Sequence, residues 1–225
     1  EYNVALGNYS LDANTSGDGA VAIGHDALTS NTTGSYNVAV GYDAMKANTT
    51  GTRNVVLGYQ ALLTNVDGDN NTAIGNHSLD ASTSGDNNTA TGYDALTSNT
   101  TGANNTAFGY QAGDVITTGS NNVLLGVSAD ASSNSASNQI VVGASAVGHG
   151  DNIAVIGNTD MTAWHPADDN GVDVGSSSYE FKNLYVDGTS FADALGFGTT
   201  AMTVPTADGS SGQTLITNGS GVLSW

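Results

Sequence analysis

Residues 88–104 read Asn88-Thr-Ala-Thr-Gly92-Tyr-Asp-Ala-Leu96-Thr-Ser-Asn-Thr-Thr-Gly102-Ala-Asn104, and Asn105 begins the same sentence again with Thr-Ala-Phe-Gly109-Tyr-Gln-Ala. The glycine inside this phrase recurs as Gly7, Gly24, Gly41, Gly58, Gly75, Gly92, Gly109, Gly126 and Gly143, each 17 residues from the next. A second file runs in step: Gly17, Gly34, Gly51, Gly68, Gly85, Gly102 and Gly119. A fixed period without insertion is the signature of stacked repeats, and it decides the fold class before any local reading.

One repeat opens with strand chemistry, Asn-Val-Ala-Ile-Gly, and closes with turn chemistry, Thr-Ser-Asn-Thr-Thr-Gly, whose glycine can supply a positive φ. A unit this short cannot bury its own apolar face, but stacked on its neighbours it can. The expected fold is all-β: a parallel β-solenoid of nine coils of about 17 residues. At the inter-strand spacing of ~4.8 Å it forms a rod on the order of 40 Å long.

The strand is apolar on both faces. Val4, Val21, Val38 and Val55 alternate with Leu6, Ile23, Val40 and Leu57 on one side. Ala5, Ala22, Ala39, Val56, Ala73, Ala90, Ala107, Leu124 and Val141 form the other column. Strands apolar on both faces are covered on both faces. The small second column is expected to meet another chain at close range, which makes the protein an oligomer wound about one axis. At the head of the coils stand Asn37, Asn54, Asn71, Asn88, Asn105 and Asn122, with Asn3 before them and Ala20 and Gln139 as exceptions. Stacked amides form hydrogen-bonded ladders, so this column is read as structural.

These residues resemble the head repeats of trimeric autotransporter adhesins, and similar repeats occur in phage tail fibres. The resemblance covers residues 3–157. It implies a left-handed parallel β-roll, three chains to an assembly. The spacing of 17 is longer than that family's repeat, and the extra residues fall in the Thr-Ser-Asn-Thr-Thr-Gly turn. A protruding loop on each coil is therefore expected.

From Asn122 the pattern degrades, and the interval from Gly143 to Gly157 shrinks to 14. Residues 1–157 are read as the roll, and 158–170, with Trp164-His165-Pro166, as a junction. Residues 171–225 read as a short β-rich region. Val172, Val174, Phe181 and Tyr185 suggest two strands about a serine turn, with further strands at Met202-Thr-Val204, Thr214-Leu-Ile216 and Val222-Leu-Ser-Trp225. Residues 171–188 look like a segment of phage tail fibres that often precedes an intramolecular chaperone. Glu1-Tyr2-Asn3 matches Ser35-Tyr36-Asn37, so the chain opens mid-repeat and is expected to be a piece of a longer protein.

The 225 residues hold 21 acidic and 3 basic groups, a net charge of −18, and no cysteine. Three copies would carry three times −18, or −54. That balance disfavours nucleic acid and anionic membrane surfaces. No apolar run approaches the ~18 residues of a membrane span.

His25, His77, His149 and His165 stand at different offsets from the repeat glycine and are not expected to share a column, so no metal is expected at a histidine. Asp12, Asp18, Asp67, Asp69, Asp80 and Asp86 fall in turns, with Asp26, Asp43 and Asp94 near the repeat glycine. Calcium favours such oxygen-rich loops, but they are read mainly as solvated turn residues, and no cofactor is expected. No nucleophile elbow or phosphate loop occurs, and the chain is read as non-enzymatic. Tyr42, Tyr59, Tyr93 and Tyr110 hold equivalent sites after the glycine. They are read first as a structural ladder and second as a glycan contact. Asn31, Asn48 and Asn99 head formal glycosylation triplets.

The reading is a homotrimeric phage tail fibre segment, structural and adhesive, carried on the virion outside the cell. Its expected partners are other tail proteins and a host cell-surface glycan or protein receptor. The alternative is the head of a trimeric autotransporter adhesin on a bacterial surface. A third reading, a polysaccharide-degrading spike, lacks the grooved carboxylates such enzymes use.

Overall fold

The computed structural model describes residues 2–164, Ser178, and the backbone of 194–197, 200–203, 216–217 and 223–224. The chain divides into two compact units, residues 1–164 and 165–225.

The first unit is a parallel β-solenoid of about nine turns. Its ten short strands are β1 (Val4–Leu6), β2 (Val21–Ile23), β3 (Val38–Val40), β4 (Val55–Leu57), β5 (Thr72–Ile74), β6 (Thr89–Thr91), β7 (Thr106–Phe108), β8 (Val123–Leu125), β9 (Ile140–Val142) and β10 (Ala154–Ile156). They form one sheet in chain order. Val4 pairs with Val21, Val21 with Val38, and so on at the sequence period, until the final step sets Ala154 beside Ile140, 14 residues away. No helix occurs among the described residues.

The structure corrects the assignment of the two strand faces. The column expected to meet another chain is the coil's own core. Ala22, Ala39, Val56, Ala73, Ala90, Ala107, Leu124 and Val141 are fully buried within the single chain. They share that core with Leu28, Met45, Leu62, Leu79 and Leu96. A coil this thin turns one side chain per strand inward, and alanine is the residue that fits opposite a leucine. The flanking residues point out instead. Leu57 is 50% exposed and Phe108 59%. The strand is apolar on both sides, as read, but the uncovered side is the Val/Leu/Ile one.

The expected protruding loop is also corrected. Thr-Ser-Asn-Thr-Thr-Gly lies against the stack as a wall of the coil. The Thr32 N–H and hydroxyl both donate to the Thr49 carbonyl one coil on, each at 2.9 Å. Asn31, Asn48 and Asn99 are fully buried, so a glycosylating enzyme could not reach them in the folded roll. They belong to a second amide ladder. Asn31 Nδ2 donates to Asn14 Oδ1 (3.0 Å), Asn48 to Asn31 (2.8 Å) and Asn65 to Asn48 (2.9 Å).

Gly102 ends this wall for a reason other than a positive φ. It shows none; a Cβ there would strike the Gly119 carbonyl oxygen and the Asn99 amide, and lie 3.1 Å from Asn105 Nδ2. The left-handed corners are made by non-glycine residues: Asp94 (φ 55°), Leu96 (52°) and Asn104 (58°), with counterparts in the other coils. Leucine is costly in this region, since its Cβ crowds the backbone. It is held there by complete burial and by its N–H donating to the Ala112 carbonyl at 3.0 Å.

The second ladder is broken at Ser82, whose side chain is too short to bridge. Asn65 Oδ1 and the Ser82 hydroxyl are left buried without a partner there; Asn99 Oδ1 is left so one break further on, where buried Ile116 stands in place of an asparagine. Ser82→Asn should restore both rungs and stabilise the roll by about 1–3 kcal/mol, the cost of leaving such groups unpaired. Chemical denaturation checks this, and an unchanged or lower midpoint would refute it.

In the second unit the backbone forms two small antiparallel pairs. β11 (Ala194–Phe197) pairs with β12 (Thr200–Thr203), and β13 (Ile216–Thr217) with β14 (Leu223–Ser224). Met202, Ile216 and Leu223 stand in strands where the sequence placed them; the strand at 194–197 was not foreseen. The hairpin read at 172–186, Ser178 apart, and junction residues 165–170 lie outside the described residues.

Candidate functional site

The head column is an interior truss. Asn37, Asn54, Asn71, Asn88, Asn105 and Asn122 are fully buried. Each Oδ1 that has a following coil accepts the backbone N–H of the residue one coil on: Asn71 N–H to Asn54 at 2.8 Å, Asn88 to Asn71 at 2.9 Å, Asn105 to Asn88 at 3.0 Å. Each Nδ2 reaches across the coil to a backbone carbonyl 14 residues on, a glycine's in every case but Asn122, which donates to Ala136; Asn37 reaches Gly51 at 2.7 Å. The Gly51 carbonyl also takes Asn48 Nδ2 at 3.1 Å. The two ladders therefore clamp one glycine between them. Gln139, one methylene longer, turns back to Ser132 instead, and the truss stops there. Nothing in this column reaches solvent, so it supports a site without being one.

The tyrosines stand on a corner of the coil, just past the strand. The structure corrects the separation of the histidines from them. Tyr9, His25, Tyr42, Tyr59, His77, Tyr93 and Tyr110 form one continuous file with ring centroids 5.0–6.0 Å apart. His25 lies nearly parallel to Tyr42, with 10° between planes, whereas His77 stands edge-on to both its neighbours. Positions one and two past the glycine straddle the same corner, so a ring at either enters the file. Tyr42 and Tyr59, and again Tyr93 and Tyr110, are near-parallel pairs at 5.6 Å. Such pairs are too close to lie edge to edge in one plane, so they overlap in the offset stack aromatic rings favour. Their hydroxyls and outer edges remain at the surface, and the five tyrosines of the file are 43–62% exposed.

Beside the file runs a polar column. Gln60 Nε2 donates to Asp43 Oδ2 at 3.3 Å, and Gln111 Nε2 to Asp94 Oδ2 at 3.5 Å. Among the described residues one group has metal-like convergence: His25, Asp26 and Asp43, with ligand atoms within 4.8 Å of one another. Lys46 already provides the cation there. Its Nζ lies 2.7 Å from Asp26 Oδ2 and 3.0 Å from Asp43 Oδ1. Hydrogen bonds to Asp26 and then Asp43 hold the ammonium protonated well above the usual lysine range. An ammonium bound to both carboxylates leaves a metal no advantage, so the cluster is read as an ion-pair clasp. His149 lines an open cleft of about 340 Å³ at the last coil, with Ser145, Val155 and Asn158 and no carboxylate among its lining. His165 lies outside the described residues.

Among the described residues one acid is perturbed. Asp130 is pushed up to about 7, first by burial and then by its hydrogen bond to, and charge repulsion from, the neighbouring Asp114 carboxyl. The folded carboxyl keeps its proton to higher pH than the unfolded one, whose ordinary value is 3.8. The folded state therefore binds more protons between these values, and this group's stability contribution is present at low pH and lost as pH rises towards 7. Asp130→Asn should remove that slope, so the mutant-minus-wild-type difference in melting temperature grows from about pH 4 to about pH 7 and then levels. A difference independent of pH would refute the assignment.

Sequence reading found the Asn and Tyr columns because each is a single residue type at one offset. It missed the second Asn ladder, the Lys46 clasp and the Asp–Gln pairs, which join different residue types from adjacent coils. No helix of the described residues is long and apolar enough to cross a membrane. No protein-family model matches the chain, and no curated protein sequence matches it.

Proposed function

We propose that this chain is the roll-shaped segment of a homotrimeric phage tail fibre, a stiff extension that carries adhesive surface to a host. The observation that supports it is the outer face of the ten-stranded sheet. Its two columns, from Val4 and Leu6 to Ala154 and Ile156, hold no charged residue in a chain of net charge −18. Val4, Leu6, Val55, Leu57, Ile74, Phe108, Leu125, Ile140 and Ile156 are exposed on it. An uncharged, largely apolar strip, interrupted by Thr72, Thr89, Thr91 and Thr106, runs the length of the roll and marks a surface made to be covered. Copies of the same chain cover it along its whole length, rung against rung. Three strips facing one axis close the prism that the resemblance to adhesin heads and tail fibres implies. The charged and aromatic corners then face outward. The reading is non-enzymatic: the chain's work is extension and attachment.

Mass in solution by light scattering tests the assembly. The wild type is expected at three chain masses, and Leu57→Asp with Phe108→Asp at one. A monomeric wild type refutes the trimer. Attachment is tested separately by competing purified protein against virions for host cells and by immunogold labelling. Gold on tail fibres supports the reading, whereas gold on uninfected cells assigns the chain to a bacterial adhesin.

A further inference from the structure

We propose that the aromatic corner binds a neutral oligosaccharide, and that its open site is Tyr93, Asp94, Tyr110 and Gln111. The inference rests on the adhesive reading above and names the ligand class and the place.

Three observations carry it. The first is a mismatch of periods. The core and the amide ladders repeat every coil, but the corner does not. The order Tyr-Asp then Tyr-Gln occurs at Tyr42-Asp43 and Tyr59-Gln60, and again 51 residues later at Tyr93-Asp94 and Tyr110-Gln111. Each time the rings stack at 5.6 Å and the glutamine amide reaches the aspartate of the coil before. Stacking of coils asks only for like on like; a two-coil block that recurs once, three coils on, answers to something outside the coil.

The second is chemistry. Phenol hydroxyls, a carboxylate and a primary amide together donate and accept without a cation. A sugar offers adjacent hydroxyls to such a set: they donate to the carboxylate and accept from the amide, and hydrogen bonds to an ionised acceptor are the stronger kind. The exposed rings of Tyr93 and Tyr110, beside His77, which stands edge-on between Tyr59 and Tyr93, receive the sugar's C–H surface. The net charge of −18 and the neighbouring Asp80 turn anionic glycans away.

The third is an asymmetry between the two blocks. In the first, Asp43 is buried and its carboxylate is held by Lys46. In the second, Thr97 stands where lysine stood, and its hydroxyl goes to Asp80 at 2.9 Å. Asp94 is left with only the long contact from Gln111, so the second block is the one open to ligand.

The test is affinity electrophoresis of the full chain through gels cast with dextran, mannan or galactan, and with polygalacturonate as the anionic counterpart. At least one neutral polymer should retard the wild type, and polygalacturonate should not. Asp94→Ala and Gln111→Ala should each weaken that retardation about tenfold, the loss expected for one hydrogen bond to a charged group. Gln60→Ala should change it by less than about threefold, and melting temperatures should show all three variants folded. Retardation by polygalacturonate alone, by no polymer, or equally in every variant overturns the proposal. The host-cell competition separates the two readings. A wild type that competes while Asp94→Ala competes equally well keeps the fibre and discards this site; a wild type that does not compete discards the fibre reading itself.

Discussion

Gly92→Ala should unfold the middle of the roll, at a cost of at least about 4 kcal/mol, well above an ordinary substitution. Two separate physical effects act at this position. The backbone has φ +139°, where a residue with a Cβ is strained. The new methyl would also fall on the next coil: it would lie 2.6 Å from the carbonyl carbon of Gly109 and 3.1 Å from the Tyr110 nitrogen. Backbone cannot yield as a flexible side chain can, because each of these atoms is fixed by the coil beyond it. The register of β6 on β7 must open, and with it the contacts of everything stacked above and below. Gly150→Ala separates the two effects. Its φ is +150°, but the only atom near the added methyl is Ile153 Cδ1, at an ordinary 3.5 Å. That variant should lose only the strain, about 1–3 kcal/mol. Denaturant titration of both proteins checks this. Equal losses would mean that the backbone angle, and not the stacking distance, makes this glycine necessary.

The same distances explain what was legible in the sequence. A residue constrained by its copy one period away must be the same in every coil, so the stacking glycines, the strand columns and the head asparagines announced a parallel solenoid. Which side of the strand faces in was not legible. Both sides are apolar, and the choice depends on the width of the coil, set by Leu96 and its equivalents across from the alanines. The turn was misjudged for a related reason. Thr-Ser-Asn-Thr-Thr-Gly is polar throughout, and polar runs are ordinarily exposed; here the asparagine satisfies its amide in a ladder and can be buried whole. The left-handed corners at Asp94 and Leu96 left no signal, since nothing in a leucine forecasts positive φ. On the aromatic corner, four tyrosines at one offset were visible. His25 shares that offset and differs only in residue type, whereas His77 was not legible because it enters from the adjacent position.

Replacing Asn88 by alanine should destabilise the roll by about 2–4 kcal/mol, the sum of a lost hydrogen bond and a buried donor left without an acceptor. The arrangement specifies which groups suffer. The Asn105 N–H, 3.0 Å from Asn88 Oδ1, has no water to turn to inside the coil. The Gly102 carbonyl loses Asn88 Nδ2 at 2.9 Å but keeps Asn99 Nδ2 at 3.0 Å, so it is weakened and not orphaned. Asn88→Leu distinguishes bonding from filling. Leucine has volume enough but no acceptor, and should be at least as harmful as alanine; if it restores stability, the column is packing and the truss is incidental. The chain itself contains the reverse experiment. Ala20 stands in the same column and has no amide for Asn37 above it, although its own N–H is received by Asn3 Oδ1 at 2.8 Å. Ala20→Asn would offer Oδ1 to the Asn37 N–H and Nδ2 to the Gly34 carbonyl, in the geometry that Asn37 already adopts with Gly51. A gain of about 1–2 kcal/mol follows from these two new buried hydrogen bonds. Loss at Asn88 together with gain at Ala20 would fix the ladder as the element that holds coil to coil, independent of any face the roll presents to its partners.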